Sequence, residues 1–277
     1  MQTPGQDSLR RIAGDWRAAG ARALAVMRAA GPSQIQFWFI ALAIGVAAGT
    51  AALVFRKAIA AIQTAIYGTD DVLLASVAEW LPWWWILSVP ILGGLAVGII
   101  LHVFTPDGRV RAVADVIEGA ALRQGRVERR AGVASALASL ITLSTGGSSG
   151  REGPVVHMAA VISTWVARRI NANGITGRDL LGCAVAAAVS ASFNAPIAGA
   201  IFALEVVLRH FAVHAFAPIA IASVAGTVIN RIEYGGVTEF MLPGEGGIAF
   251  FWELPAFLLL GVVSGLVAVA LMRAVFL

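Results

Sequence analysis

The 277-residue chain is 58% hydrophobic and only 13% charged, with a formal net charge of +4 at pH 7. Soluble domains carry about 25% charged residues, so the composition excludes a soluble globular protein and predicts an integral membrane protein in a lipid bilayer. The basic residues lie between apolar runs, which excludes nucleic acid as a partner and indicates topology determinants. The single cysteine, Cys183, lies in a run of small residues and is predicted to pack in the interior.

Residues 1–31 are predicted to form an amphipathic helix at the cytoplasmic surface. Five arginines interrupt the apolar pattern of this segment, so it lacks the continuous apolar core of a signal peptide. A basic amphipathic helix of this kind lies in the interface rather than across the bilayer. Residues 32–277 are then predicted to form the membrane domain.

Four apolar runs are long enough to cross a hydrocarbon core of about 30 Å as helices. They cover residues 37–55, 83–104, 212–229 and 250–277. The period-2 alternation of a membrane β-barrel is missing from the sequence. The predicted fold class is therefore an all-α membrane bundle.

The charges between the runs orient the predicted helices. Residues 68–82 contain Asp70, Asp71 and Glu79 and no basic residue, whereas residues 105–130 contain six arginines. The positive-inside rule places the N-terminus and the 105–130 segment in the cytoplasm and the 68–82 loop outside. In a bacterium this would be the inner membrane.

The middle of the chain breaks the simple spanning pattern. Short apolar helices are predicted over residues 113–124, 131–144, 154–166 and 180–192, separated by glycine, proline and arginine. Helices too short to span, placed around glycine-rich breaks, are typical of transporters and channels. At Asn194-Ala195-Pro196 we expect a new helix to begin, with a capping residue just before the proline.

The most informative motif is Gly150-Arg151-Glu152-Gly153-Pro154, which is predicted to begin a helix. A helix N-terminus presents unpaired N–H donors and a partial positive charge, which together favour an anion. Glu152 is a carboxylate placed where such an anion would bind. It is either a gate that occupies the anion site or an ordinary first-turn acid that stabilises the helix dipole.

The stretch from Gly147 to Pro154, Gly-Ser-Ser-Gly-Arg-Glu-Gly-Pro, resembles the central signature of the CLC family of chloride channels and proton/chloride exchangers. Ser192-Phe193-Asn194-Ala195-Pro196-Ile197-Ala198-Gly199, followed by Phe202 and Glu205, resembles the next helices of that family. The resemblance implies a CLC-type bundle of tilted, partly non-spanning helices and a homodimer whose subunits each have an anion pathway built from two inverted halves. This chain resembles the first half only, so it is expected to be either a fragment or a half-protein that does not conduct.

The resemblance also assigns candidate site residues. It implies that Glu152 is the gate, that Gly150, Arg151 and Gly153 bind the anion with it, and that the backbone at Ala112 and Val113 contributes from a second helix. The family's first anion-binding motif is altered, because its glycines, proline and hydroxyl are missing and only Asp115 matches its acid. Arg111, within this altered motif, is interpreted either as a source of positive potential or as a cytoplasmic loop charge.

The proton route departs from the family pattern as well. Family exchangers carry a pair of glutamates, and here the pair reads Glu205-Val206. Glu205 is either a candidate proton-pathway residue or a buried structural carboxylate, which we favour. Passive conduction and proton-coupled exchange both stay open, with chloride the favoured anion over fluoride or nitrate.

A rival hypothesis from another class is a rhomboid-type intramembrane serine protease. Gly147-Ser148-Ser149-Gly150 matches its Gly-x-Ser-Gly pattern, and His210 or His214 could serve as the base. The Arg-Glu-Gly-Pro residues have no role in that mechanism, so a non-enzymatic protein is favoured. His157 is expected to be a packing residue, and neither a metal nor a cofactor is indicated.

Overall fold

The computed structural model describes residues 20, 22, 25–27, 31–69, 80–211, 213–235 and 253–275. All elements within these residues are helical. In chain order they are α1 (Gln34–Tyr67), α2 (Trp83–Phe104), α3 (Val113–Leu122), α4 (Arg129–Ser144), α5 (Glu152–Arg169), α6 (Gly174–Phe193), α7 (Pro196–Phe202), a π-helical turn (Ala203–Leu208), α8 (Val213–Tyr234) and α9 (Glu253–Val275). The predicted all-α fold is confirmed.

The chain divides into two units, residues 1–238 and residues 239–277. The first unit holds α1 to α8. The described part of the second unit is α9, a 23-residue apolar helix whose side chains are exposed over Leu254–Ala274. The predicted surface helix over residues 1–31 and the outer-loop acids Asp70, Asp71 and Glu79 lie outside the described residues, apart from short helical pieces at 20, 22 and 25–27.

Four of the described helices are long and apolar enough to cross a membrane. They are α1, α2, α8 and residues Leu254–Ala274 of α9, in agreement with the four predicted spans. With 34 residues, α1 is about 51 Å long, so it can lie within a core of about 30 Å only if it tilts. Its ends are chemically defined, by a capping box between Ser33 and Gln36 and by Gly68 in the left-handed conformation.

Helix α6 forms the centre of the first unit and packs against α1, α5, α7 and α8. Small residues let the backbones approach closely. A Cβ atom added to Gly226 of α8 would overlap the carbonyl oxygen of Ala187, and one added to Gly45 of α1 would lie 2.7 Å from the Cα atom of Ala222. Cys183 is fully buried in this core, which confirms its predicted packing role.

Two of the four helices predicted to be short are longer than expected. Helix α5 has 18 residues and α6 has 20, or about 27 and 30 Å, because their polar ends continue the helix. Arg168 and Arg169 belong to the last turn of α5, where basic side chains favour the helix dipole. Asn173 caps α6 by accepting a hydrogen bond from the N–H of Thr176. Of these four helices, α3 and α4, with 10 and 16 residues, are shorter than the bilayer, as predicted.

The junction between α6 and α7 differs from the prediction in one respect. Asn194 adopts the left-handed conformation (φ 54°, ψ 34°) and ends α6 instead of capping the next helix. Pro196 begins α7 as predicted, after Ala195. Residues Ala203–Leu208 then form a π-helical turn, which ends at Arg209, also left-handed with φ 57°.

Candidate functional site

The glycine-rich segment before α5 is held in place by α1. Gln63 donates a hydrogen bond of 3.1 Å to the carbonyl of Leu143, and the hydroxyl of Tyr67 donates one of 3.0 Å to the carbonyl of Thr145. The chain then turns at Gly146, which has φ +86° and so needs glycine. These contacts fix the end of α4 and therefore the point from which the signature residues begin.

Helix α5 begins at Glu152, inside the predicted motif. Its N-cap residue is Arg151, and no side chain among the described residues caps this end, which leaves first-turn N–H groups as donors. A Cβ atom added to Gly150 would lie 3.2 Å from Oε2 of Glu152. The Glu152 carboxylate therefore folds back over Gly150, at the positive end of the helix. It is 42% exposed, and its Oε1 lies 4.0 Å from Nε of Arg151.

The N-terminus of α3 lies beside that of α5. A Cβ atom added to Gly153 would lie 3.8 Å from the Cα atom of Ala112, and Ala112 is the N-cap residue of α3, which begins at Val113. The structure thus brings Ala112 next to the predicted anion-binding residues of the signature. Two helix N-termini with their partial positive charges meet at this place.

The α3 N-terminus is closed by its own first-turn acid. Oδ2 of Asp115 accepts a hydrogen bond of 2.8 Å from the backbone N–H of Ala112. Oδ1 of Asp115 accepts one of 2.8 Å from Arg109 and lies 3.5 Å from Nη1 of Arg111. Asp115 therefore acts as a fixed cap, held on its outer side by two guanidinium groups.

Arg111 lies in the loop before α3, and its charge is paired there. Its side chain is only 9% exposed and donates to Asp107 at 2.8 Å and to Glu128 at 3.1 Å. Its backbone N–H donates to the hydroxyl of Ser135 on α4. Its positive charge is thus balanced within an ion-pair network that ties the loop before α3 to the start of α4.

Asp107 shows the electrostatic consequence of this network. Partial desolvation raises the pKa of Asp107, but hydrogen bonds from Arg111 and Arg109 outweigh it and bring the pKa down to about 2. Asp107 thus stays ionised well into the acidic range. The sequence signal for the network was the set of acids interleaved with the arginines of residues 105–130, namely Asp107, Asp115, Glu118 and Glu128.

Glu205 does not occupy the buried position expected for it. Glu205 and Val206 are both exposed on the π-helical turn, which packs beside α3 and α6. The physical reason is that the π-helical turn directs Leu204 and Val207 into the interior instead. The described contacts do not bring Glu205 to the helix N-termini at Ala112 and Glu152.

The side-chain arrangement does not favour the protease hypothesis. The hydroxyl of Ser149 donates to the carbonyl of Gly150. Nε2 of His214 lies 3.5 Å from Asp179 of α6. In these contacts Ser149 and His214 each have another partner. Nucleophilic catalysis would need a serine paired with a histidine.

Apolar helices long enough to span a membrane fit an integral membrane protein. Two helix N-termini that meet at a glycine-rich break are typical of transporters and channels. The comparison with known families agrees. A family model described as voltage gated chloride channel matches residues 93–277. The chain belongs to this family, the CLC family.

Curated relatives support the same family assignment. The chain is 31% identical over 231 residues to a ClcB-like chloride channel protein of Ralstonia nicotianae, covering 82% of this chain and 53% of that protein. It is 27% identical over 232 residues to the voltage-gated ClC-type chloride channel ClcB of Yersinia pestis, covering 82% and 55%. The chain thus spans about half the length of the curated relatives it matches.

Two solved structures share the fold. A slow cyanobacterial Cl⁻/H⁺ antiporter aligns with a TM-score of 0.68 at 20% identity, over 83% of this chain and 54% of that one. A CLC-type fluoride/proton antiporter aligns with a TM-score of 0.60 at 22% identity, over 83% and 55%. At 20% and 22% sequence identity, this structural similarity shows the fold alone.

Proposed function

We propose that this chain contributes to a transmembrane anion pathway, with chloride as the transported ion and Glu152 as its gate. The observation that carries the proposal is the position of the Glu152 carboxylate over Gly150, at an N-terminus of α5 that no described side chain caps. Family membership supports anion transport as the general activity.

The gating step follows from competition for one set of donors. The ionised carboxylate of Glu152 and a chloride ion both bind where N–H groups and the helix dipole favour negative charge. Gly150 and Gly153 keep this place free of side-chain atoms, and the Arg151 side chain adds positive charge 4.0 Å from the carboxylate. Ala112 lies beside Gly153, and the proposal includes backbone at Ala112 and Val113 as the contribution of α3. Protonation of Glu152 weakens its hold there, so transport should rise as pH falls.

The gate is tested by chloride efflux from liposomes that contain the full-length protein. Glu152→Gln should transport chloride at neutral pH and lose most of the activation on acidification that the wild type shows. Glu233→Gln is a matched control, because Glu233 is an exposed carboxylate paired with Lys57 and lies outside the signature. If the pH dependence of Glu152→Gln equals that of the wild type, the gate assignment is wrong.

Proton-coupled exchange is the second candidate. The cyanobacterial structure and the fluoride-transporter structure reported above are both described as proton antiporters, whereas Val206 cannot carry a proton. The measurement is proton movement driven by a chloride gradient. Proton uptake that stops in Glu152→Gln while chloride flux continues would favour exchange, and chloride flux without proton movement would favour conduction.

Orientation and assembly are part of the proposal. The positive-inside rule supports a cytoplasmic N-terminus and a cytoplasmic 105–130 segment in a bacterial inner membrane. Exposed apolar side chains on α7 and α8, such as Ile197, Phe216 and Ile232, support a homodimer of the full-length protein in the bilayer. Cross-linking in detergent that captures only monomers would contradict the dimer.

A further inference from the structure

A small cavity of about 10 Å³ lies between α1, the start of α5, the end of α6 and α8. This volume is near the lower limit of about 10–15 Å³ at which a cavity holds one water-sized particle. Apolar side chains such as Phe55 and Val155 form part of its lining, and the polar part consists of Arg56, Arg151, Ser192 and Asn230.

The charge of this lining has one sign. Among the described residues, the lining contains the guanidinium groups of Arg56 and Arg151 and no carboxylate. Arg56 also lies over the ring of Tyr234, 4.4 Å from its centroid, and Nε of Arg151 lies 4.0 Å from Glu152. A guanidinium group has five N–H donors, so both arginines can serve these partners and still donate into the cavity. An anion between them would offset their mutual repulsion.

Asn230 of α8 adds a neutral donor to the same cavity. The residue is only 4% exposed, and its side-chain amide takes part in none of the hydrogen bonds between the described residues. Buried amides normally have a partner, and the NH₂ group of Asn230 offers two donors to a particle in the cavity. The hydroxyl of Ser192 already donates to the carbonyl of Ala188 at 2.9 Å. The nearby acid on α8, Glu233, is paired with Lys57.

The cavity lies toward the outer side of the bundle. The positive-inside rule places the start of α1 in the cytoplasm. Arg56 is about 33 Å along the helix from its first residue, Gln34. Arg151 is also the N-cap residue of α5, so the cavity adjoins the place where the Glu152 carboxylate lies over Gly150.

We propose that Arg56, Arg151 and Asn230 form a second anion-binding site, separate from the place over Gly150 and specific for a single monatomic anion such as chloride. Two cationic groups and an amide donor favour a negative ion, and the small volume excludes phosphate and sulfate. The site holds an anion on the outer side of the signature. Its role in transport rests on the proposed function, whereas anion binding itself does not.

The experiment is long-wavelength anomalous diffraction from crystals of the full-length protein in chloride, which distinguishes chloride from water. The wild type at neutral pH should show a peak within hydrogen-bond distance of Nδ2 of Asn230 and of a guanidinium group. Asn230→Asp should lose this peak, because a carboxylate of the same size takes the place of the amide donor. Asn171→Asp should keep it, since Asn171 is an exposed residue after α5 and outside the lining.

Two results would overturn the inference: no chloride peak in this cavity of the wild type, or a peak that persists in Asn230→Asp. If Asn230→Asp does not fold, Arg56→Gln replaces it. That variant removes a positive charge from the lining and should also lose the peak, so a peak that persists would overturn the inference. A halide at the start of α5 in Glu152→Gln tests the proposed function at a different position, so the failure of one is distinguishable from the failure of the other.

Discussion

The helices α3 and α5 begin side by side, but their N-termini are occupied by different kinds of acid. Asp115 of α3 is only 10% exposed, accepts the N–H of Ala112 and is held by two arginines. Glu152 of α5 is 42% exposed, and its Oε1 lies 4.0 Å from Nε of Arg151. The acid on α3 is therefore part of the scaffold, and the acid on α5 is able to move. A gate next to an anion site needs this combination of a fixed wall and a mobile charge.

The largest effect on stability should come from removing the guanidinium group of Arg111, at the centre of the ion-pair network beside α3. Arg111→Met leaves Asp107, Asp115 and Glu128 without their shared cation. Loss of one partner from a fully buried pair costs about 3–5 kcal/mol, and we expect about 2–3 kcal/mol here because Asp107 and Glu128 are 40% and 46% exposed. Denaturation of the wild type and of Arg111→Met in detergent measures this loss of stability.

The matched control for this prediction is Arg109→Met. Arg109 also binds Asp107 and Asp115, but its side chain is 57% exposed. Water can replace its charge, so the loss of stability should be much smaller. Equal losses for the two variants would show that the burial of Arg111 is not what stabilises the network.

The ion-pair network around Arg111 should also make the stability of the protein depend on pH, well below the physiological range. The pKa of Asp107 is about 2 in the folded protein, below its ordinary value of 3.8. The stability that it contributes is therefore complete above about pH 4 and is lost as pH falls toward 2. Melting temperatures measured from pH 5 to pH 2 should fall less steeply for Asp107→Asn than for the wild type, and parallel curves would contradict this account.

The smallest predicted effect concerns the position of the Glu152 carboxylate at the start of α5. In Gly150→Ala the new methyl group would lie 3.2 Å from Oε2 of Glu152 and should push the carboxylate from the helix end. Charge at a helix end is worth about 0.3–1 kcal/mol, so the pH midpoint of flux should rise by about 0.2–0.7 unit. Gly153→Ala is the comparison, because its methyl group makes only an ordinary 3.8 Å contact with Ala112. A larger shift from Gly153→Ala would contradict the assignment.

The sequence was sufficient for features that depend on local chemistry. Hydropathy located the four spanning helices, and the glycines and proline of the signature located the start of α5. The burial of Arg111 could not be predicted from the sequence, because its partner Glu128 is 17 residues away and meets Arg111 only after α3 and α4 pack. The exposure of Glu205 was missed for a related reason, since a π-helical turn changes which residues face inward.

The candidate site was predictable in its members but not in its geometry. Ala112 was assigned through a resemblance although its motif is altered, and the close approach of Gly153 to Ala112 is a tertiary contact. The burial of His157, which is 1% exposed, is likewise a property of packing. An apolar pattern around a histidine does not reveal it.

The central claim is that Glu152 and a transported anion compete for the N-terminus of α5. Anomalous diffraction from bromide-soaked crystals of the full-length protein tests this most directly. We predict a bromide peak within hydrogen-bond distance of the backbone N–H groups at Arg151–Gly153 in Glu152→Gln, and a weaker peak or none there in the wild type at neutral pH. Equal peaks in both proteins, or none at this position in Glu152→Gln while bromide binds elsewhere, would contradict the account.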